Sequence, residues 1–167
     1  ADREIIYMDE KYKILAIEDD EVLNKVYEIE MADDNTEVFA ALNGKEAREK
    51  FSLKPDLIVL DIMLPGESGF ELLKEIRKNP DTKNAIVIVV SNLSQTADME
   101  TAKTLGAEEF MTKADISIHT LAKKVKEYSD KIRAGETAPK PAAETPKPES
   151  EAAEPAKTAK SPEETEI

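Results

Sequence analysis

Ile14-Leu15-Ala16-Ile17-Glu18-Asp19-Asp20 and Leu57-Ile58-Val59-Leu60-Asp61 are the two stretches that decide how this chain folds. In the first, four apolar residues stop at three acids. In the second, four apolar residues stop at Asp61, and the chain runs on through Ile62-Met63-Leu64-Pro65-Gly66. Short, continuous apolar runs bounded by polar residues have the pattern of strands buried on both faces. In an open parallel sheet, ligands bind in the crevice beyond the carboxyl ends of such strands. If the two strands are neighbours, the carboxylates of Glu18, Asp19, Asp20 and Asp61 converge there and repel one another. A divalent cation would relieve that repulsion. Oxygen-only ligation suits magnesium or manganese, and magnesium keeps waters that leave room for phosphate oxygens.

Outward from these runs the pattern alternates. A strand at about 13–18 precedes a helix at about 20–33, in which Val22, Val26 and Ile29 recur at helical spacing. Glu37-Val38-Phe39-Ala40 reads as a second strand, and Asn43-Gly44 opens a helix through Phe51 with Asn43 as its cap. Pro55-Asp56 precedes the third strand at 57–60. A helix from about Gly69 to Lys78 turns Phe70, Leu72, Leu73 and Ile76 inward, and Asn79-Pro80-Asp81 ends it. Ala85 to Val90 is the fourth strand, followed by a polar helix at about 95–105 that Gly106 closes. Ala107 to Met111 is the fifth strand and Ile116 to Ile132 the last helix. Five strand–helix repeats with buried strands predict an α/β fold, a doubly wound parallel sheet.

Residues 1–12 form a polar lead-in and 13–133 the foldable domain. From 134 to 167 prolines are scattered among Ala, Glu, Lys and Thr, a composition that does not offset its own ordering entropy and predicts an extended tether. The net charge of -13 and the lack of a basic stripe argue against nucleic acid as a partner. With no cysteine, disulfide and thiolate chemistry are excluded, which fits a reducing, cytoplasmic setting. No apolar stretch is long enough to insert in a bilayer, and Ala1-Asp2-Arg3-Glu4 lacks a secretion-signal pattern. The absence of an initiator Met suggests trimming.

Four motifs in order, Ile17-Glu18-Asp19-Asp20, Asp61 with Pro65-Gly66-x-x-Gly69, Ser91-Asn92, and Phe110-Met111-Thr112-Lys113, resemble the two-component receiver domain of bacterial response regulators. The resemblance covers about residues 12–130. It implies a stand-alone, chemotaxis-receiver-like domain with a flavodoxin-like sheet of strand order 2-1-3-4-5 and helices on both faces. It further implies a phosphoacceptor in a phosphorelay rather than an enzyme. Asp61 matches the aspartate that takes a phosphoryl group from a histidine kinase or histidine phosphotransfer protein. Asp19 matches the direct metal-binding acid and Glu18 the acid that binds through water. Asp61 completes the set, with Met63 offering its backbone carbonyl to Mg2+ or Mn2+. Ser91 matches the hydroxyl residue, and Lys113 the ammonium, that hold phosphoryl oxygens; Ser91 and Phe110 match the family's switch residues.

Plainer roles stand beside these. Asp61 could form a turn, Ser91 could simply end a strand, Lys113 could be a surface lysine and Phe110 a core aromatic. Asp20 suits a solvated helix start, where acids favour the macrodipole, and His119 a surface position. Two departures from the family matter. Ala114 follows the lysine where proline is usual, and a cis bond before alanine costs roughly 3–4 kcal/mol against about 0.5–1 before proline, so the bond is expected to be trans. Leu93, two residues past Ser91, would shield an acyl phosphate from water.

A phosphorylation-independent interaction domain is the main alternative. Flavin binding is disfavoured because the loop after the first strand is acidic where a phosphate cradle would need amides and hydroxyls. A haloacid-dehalogenase-type phosphatase would want a second acid where Met63 stands. The sequence runs into the tail with no DNA-binding or catalytic output region, so the output is expected to be a protein contact or onward phosphotransfer.

Overall fold

The structure, a computed structural model, describes residues 10–135, so the lead-in and tail expected at 1–12 and 134–167 lie almost wholly outside the described residues. The elements are β1 (Tyr12–Ile17), α1 (Glu21–Met31), β2 (Thr36–Ala41), α2 (Gly44–Lys50) with a 3-10 turn at Phe51–Leu53, β3 (Leu57–Leu60), a short hairpin of β4 (Met63–Leu64) and β5 (Glu67–Ser68), α3 (Gly69–Lys78), β6 (Ile86–Ser91), α4 (Thr96–Thr104), β7 (Glu109–Thr112) and α5 (Ile118–Arg133). The five long strands pair in the order β2-β1-β3-β6-β7, all parallel. That is the expected 2-1-3-4-5 order, with the hairpin taking two numbers.

The sheet is buried on both faces because its strands alternate between two cores. Leu15, Ile17, Ile58, Leu60, Val87 and Val89 pack under α2, α3 and α4, whose Ala47, Leu72, Leu73, Ile76 and Ala102 close that side. Ile14, Ala16, Leu57, Val59, Ile88 and Val90 pack under α1 and α5, through Tyr27, Met31, Leu121 and Val125. At about 25 cal/mol per Å2 of apolar surface, these two layers are the main stabilising contribution.

Helix α1 corrects one reading. Val22 and Ile29 are 74% and 66% exposed, and the buried positions are Asn24, Tyr27 and Met31. The apolar spacing of Val22, Val26 and Ile29 is real, yet Val22 and Ile29 face outward and Val26 is only half-buried. The inward side hides a polar residue, Asn24, and therefore carries a weaker apolar signal.

Turn chemistry sets the remaining boundaries. Gly106 at φ 97° and the bond from Ala107 N–H to the Ala102 carbonyl end α4, so β7 begins at Glu109 rather than Ala107. Ser117 caps α5 by accepting from Thr120 N–H at 3.1 Å, which starts that helix at Ile118. The β4–β5 hairpin has no counterpart in the sequence reading, being only two residue pairs long.

Candidate functional site

The ends of β1 and β3 lie side by side, with Ile17 opposite Leu60. Each strand carries its ladder one residue further. Glu18 N–H donates to the Ala41 carbonyl and Asp61 N–H to the Ile17 carbonyl, both at 3.0 Å. These bonds place two carboxylates at one level of the sheet and bury them, Glu18 at 1% and Asp61 at 4% exposure. Asp19 follows on the exposed loop. One oxygen from each of Glu18, Asp19 and Asp61 lies within 4.8 Å of the others.

Lys113 answers this concentration of negative charge. Its Nζ is 2.8 Å from Asp61 Oδ2 and 2.6 Å from Glu18 Oε2. Glu18 Oε2 has no hydrogen bond of good geometry and is held by charge to that ammonium. Burial pushes the Glu18 carboxyl above the usual carboxylate range, and Lys113 opposes the rise. Burial alone would lower the Lys113 ammonium, but its pairing with Asp61 and Glu18 outweighs it and holds its pKa above the usual lysine value. Lys113 therefore remains charged. No cis peptide occurs among the described residues, so the Lys113–Ala114 bond is trans, as its cost suggested. The trans chain still delivers the ammonium. Lys113 N–H donates to the Ser91 carbonyl at 2.9 Å, and Asp115 N–H to the Thr112 carbonyl closes the turn.

Of the other expected residues, Asp20, Met63 and Ser91 are bonded to members of this centre. Ser91 ends β6, beside β3, and is fully buried, with its Oγ 3.4 Å from the Leu93 amide. Met63 N–H donates to Asp61 Oδ1 at 2.9 Å, which brings the Met63 backbone to the acid cluster while its side chain is 54% exposed. Phe110 is half-buried on β7 and packs against the core under α4, and Leu93 does the same. Asp20 is a helix cap: its Oδ1 accepts from Val22 and Leu23 N–H. His119 is exposed on α5. An open cleft of about 590 Å3 adjoins the cluster, lined by Asp19, Met63, Pro65, Phe70 and Leu93 among others. A separate cavity of about 320 Å3 between α1 and α5 shares no residue with the acids.

The three carboxylates give an oxygen-only donor set, with no Cys or His among them, which fits a hard divalent cation such as Mg2+. The uncompensated charge points the same way, since one ammonium faces three acids.

The response regulator receiver domain family matches residues 14–126. The chain belongs to that family. Among curated relatives, the receiver domain is 35% identical over 102 residues to an uncharacterized transcriptional regulatory protein, YrkP, of Bacillus subtilis, covering 61% of this chain and 43% of the relative. It is likewise 35% identical over 102 residues to the response regulator ArlR of Staphylococcus saprophyticus, covering 60% and 45%. The chain thus spans less than half the length of these relatives. Among solved structures, the receiver domain of the Francisella response regulator 1452 matches with a TM-score of 0.65 at 28% identity, over 73% of this chain and 99% of that one. The signal receiver domain of a putative Luxo repressor protein from Vibrio parahaemolyticus matches with a TM-score of 0.67 at 25% identity, over 75% and 95%.

Two features of this receiver domain escaped the sequence reading. Asn24 is 1% exposed, and its amide nitrogen reaches the carbonyls of Glu18 at 3.0 Å, Ala41 at 3.2 Å and Ala16 at 3.4 Å. It ties the end of β1, which carries Glu18, to the end of β2. Its only signal was a polar residue one turn into an otherwise amphipathic helix. The second feature is an ion cluster. Arg48 on α2 makes paired bonds to Glu67 on the hairpin and to Glu75 on α3. No local pattern could have joined those three positions.

Proposed function

We propose that this receiver domain accepts a phosphoryl group on Asp61 and signals its phosphorylation state by contact with other proteins. The donor is a histidine kinase or a histidine phosphotransfer protein in the cytoplasm. A carboxylate oxygen of Asp61 attacks phosphorus in line, the P–N bond to the donor imidazole breaks, and its electron pair leaves with that nitrogen. The product is an acyl phosphate. Such transfers depend on positioning and charge neutralisation more than on covalent chemistry by the protein.

The residues divide that work. Asp19, Glu18, Asp61 and the Met63 carbonyl would hold Mg2+, which supplies electrostatic stabilisation of the transferring group. Lys113 exchanges its contact with Asp61 for one with a phosphoryl oxygen, and Ser91 donates its hydroxyl to another. Movement of Ser91 toward the new group would let Phe110 repack, converting a local charge change into a surface change. Leu93, packed beside the cleft, keeps water from the acyl phosphate. Val22 and Ile29 are exposed apolar residues on the helix that begins just after Asp19, so a helical partner docked there would sit beside the phosphoacceptor.

The observation that carries this reading is a single ammonium, Lys113, bridging two buried acids at the sheet's carboxyl edge. Burying these groups together is costly, and folding alone has no use for it. Intact-mass measurement after incubation with Mg2+ and acetyl phosphate tests it. The wild type should gain the mass of one phosphoryl group, and Asp61→Asn should gain none. An adduct of equal yield on Asp61→Asn would remove Asp61 from this role, and no adduct on the wild type would favour a docking domain independent of phosphorylation.

A further inference from the structure

The β4–β5 hairpin carries the Met63 backbone to Asp61, and something must hold that hairpin in place. One side is fixed by Gly69, whose N–H donates to the Ile62 carbonyl at 2.8 Å. A Cβ at Gly69 would lie 2.5 Å from Ile62 Cα, so the backbones meet directly. The other side is held by charge. Glu67 pairs with Leu64 across the hairpin, one step from the Met63–Ser68 pair. Its carboxylate receives two bonds from Arg48, at 3.1 and 2.7 Å. The same carboxylate lies over the first turn of α2, so close that a Cβ on Gly44 would fall 1.7 Å from Glu67 Oε1. Arg48 is meanwhile anchored by Glu75 through bonds of 2.6 and 2.8 Å, and its pairing holds the Glu75 carboxyl below the usual range.

We infer that Arg48 and Glu67, with Gly44 leaving room for the carboxylate, form a strut from α2 to the hairpin that positions the Met63 backbone for the cation at Asp61. The inference rests on the phosphoacceptor reading above. Arg48 and Glu67 touch neither the acid cluster nor Lys113, so both are positioning residues. A planar guanidinium joined to the Glu67 carboxylate by two bonds resists sliding and rotation in a way that a single lysine contact does not. Being only half-buried, the cluster contributes little to global stability. Its effect should be local.

The test compares three variants of the full chain: Glu67→Gln, Arg48→Gln and Glu75→Gln. Calorimetric Mg2+ titration should show the first two binding roughly three- to tenfold more weakly. Glu75→Gln removes charge from the same arginine without freeing the hairpin, and should stay within about twofold of wild type. Hydrogen exchange in metal-free protein supplies a second readout: the Met63 amide should exchange faster in Glu67→Gln and Arg48→Gln, with amides of β1 and β3 unchanged. Phosphorylation by acetyl phosphate should be slowed at limiting Mg2+ and recover at saturating Mg2+. Unchanged Mg2+ affinity in both strut variants, or an equal loss in Glu75→Gln, would overturn the inference and leave the phosphoacceptor reading standing. Failure of the wild type to bind Mg2+ would overturn both.

Discussion

Replacing Lys113 with Met tests the electrostatic balance of the site, because it keeps the aliphatic stem and removes only the charge. In the wild type that charge lies 2.6 Å from Glu18 and 2.8 Å from Asp61. Both acids are nearly fully buried, and the Lys113 side chain is itself only 18% exposed. Removing one partner of a buried ion pair typically costs about 3–5 kcal/mol, and the partial exposure here favours the lower end. At roughly 4 °C per kcal/mol for a domain of this size, metal-free Lys113→Met should melt about 10 °C below wild type. Mg2+ should behave in the opposite sense. Two unit charges 4 Å apart interact by about 4 kcal/mol at an effective dielectric of 20, so losing a cation beside the cluster should tighten Mg2+ at least tenfold, or about 1.4 kcal/mol. Saturating Mg2+ should then restore much of the lost melting temperature, while phosphorylation of Asp61 falls sharply for want of the ammonium. The pH dependence has a definite sign. Without Lys113 the Glu18 carboxyl, already raised by burial, rises further. A raised folded-state pKa gives stability that is present in acid and lost as pH rises through it, so the deficit should be full at neutral pH and shrink on acidification. Scanning calorimetry across pH with and without Mg2+, joined to Mg2+ titration, measures all of this. An unchanged metal-free melting temperature, or weaker Mg2+ binding in the variant, would refute the charge argument.

Substituting each acid by its amide should weaken Mg2+ binding most at Asp19, less at Glu18 and least at Asp20, since direct ligation outweighs contact through water; equal losses in titration would show the geometry to be misassigned. Asp20→Ala should instead cost about 1 kcal/mol of stability through the lost α1 cap, read as a shift in the urea midpoint, with phosphorylation retained. Gly69→Ala should cost about 1–3 kcal/mol by overpacking and slow phosphorylation too, because the new methyl meets the backbone of Asp61 and Ile62; wild-type behaviour on both measures would contradict that close approach.

Much of this molecule is legible in its sequence. Continuous apolar runs such as Leu57–Leu60 announce strands covered on both sides, and an acid just after such a run lies at the sheet's carboxyl edge wherever that strand pairs. Both inferences use only neighbours in sequence, where periodicity and turn chemistry act. Placing Ser91 and Lys113 took the family resemblance, because each alone is an ordinary surface or strand-end residue. The outward face of α1 was harder to read. Val22, Val26 and Ile29 have the spacing of a core face, and which side of an amphipathic helix meets the sheet depends on the strands beneath it.

The sequence by itself determined the strand–helix alternation, the acids at the ends of β1 and β3, and the trans preference before Ala114. Only the tertiary structure decided how those parts meet. Lys113 reaches Asp61 because β7 lies two strands from β3 in the same parallel sheet. Asn24 is buried because three carbonyls from the ends of β1 and β2 happen to surround its amide. Arg48 finds Glu67 because α2 and the hairpin share one face of the sheet, beside a glycine that leaves space for the carboxylate. The reason is physical: propensity and hydrophobic period act between residues a few positions apart, whereas charge pairing and hydrogen bonding depend on distance in space. That distance exists only once the sheet has fixed its strand order.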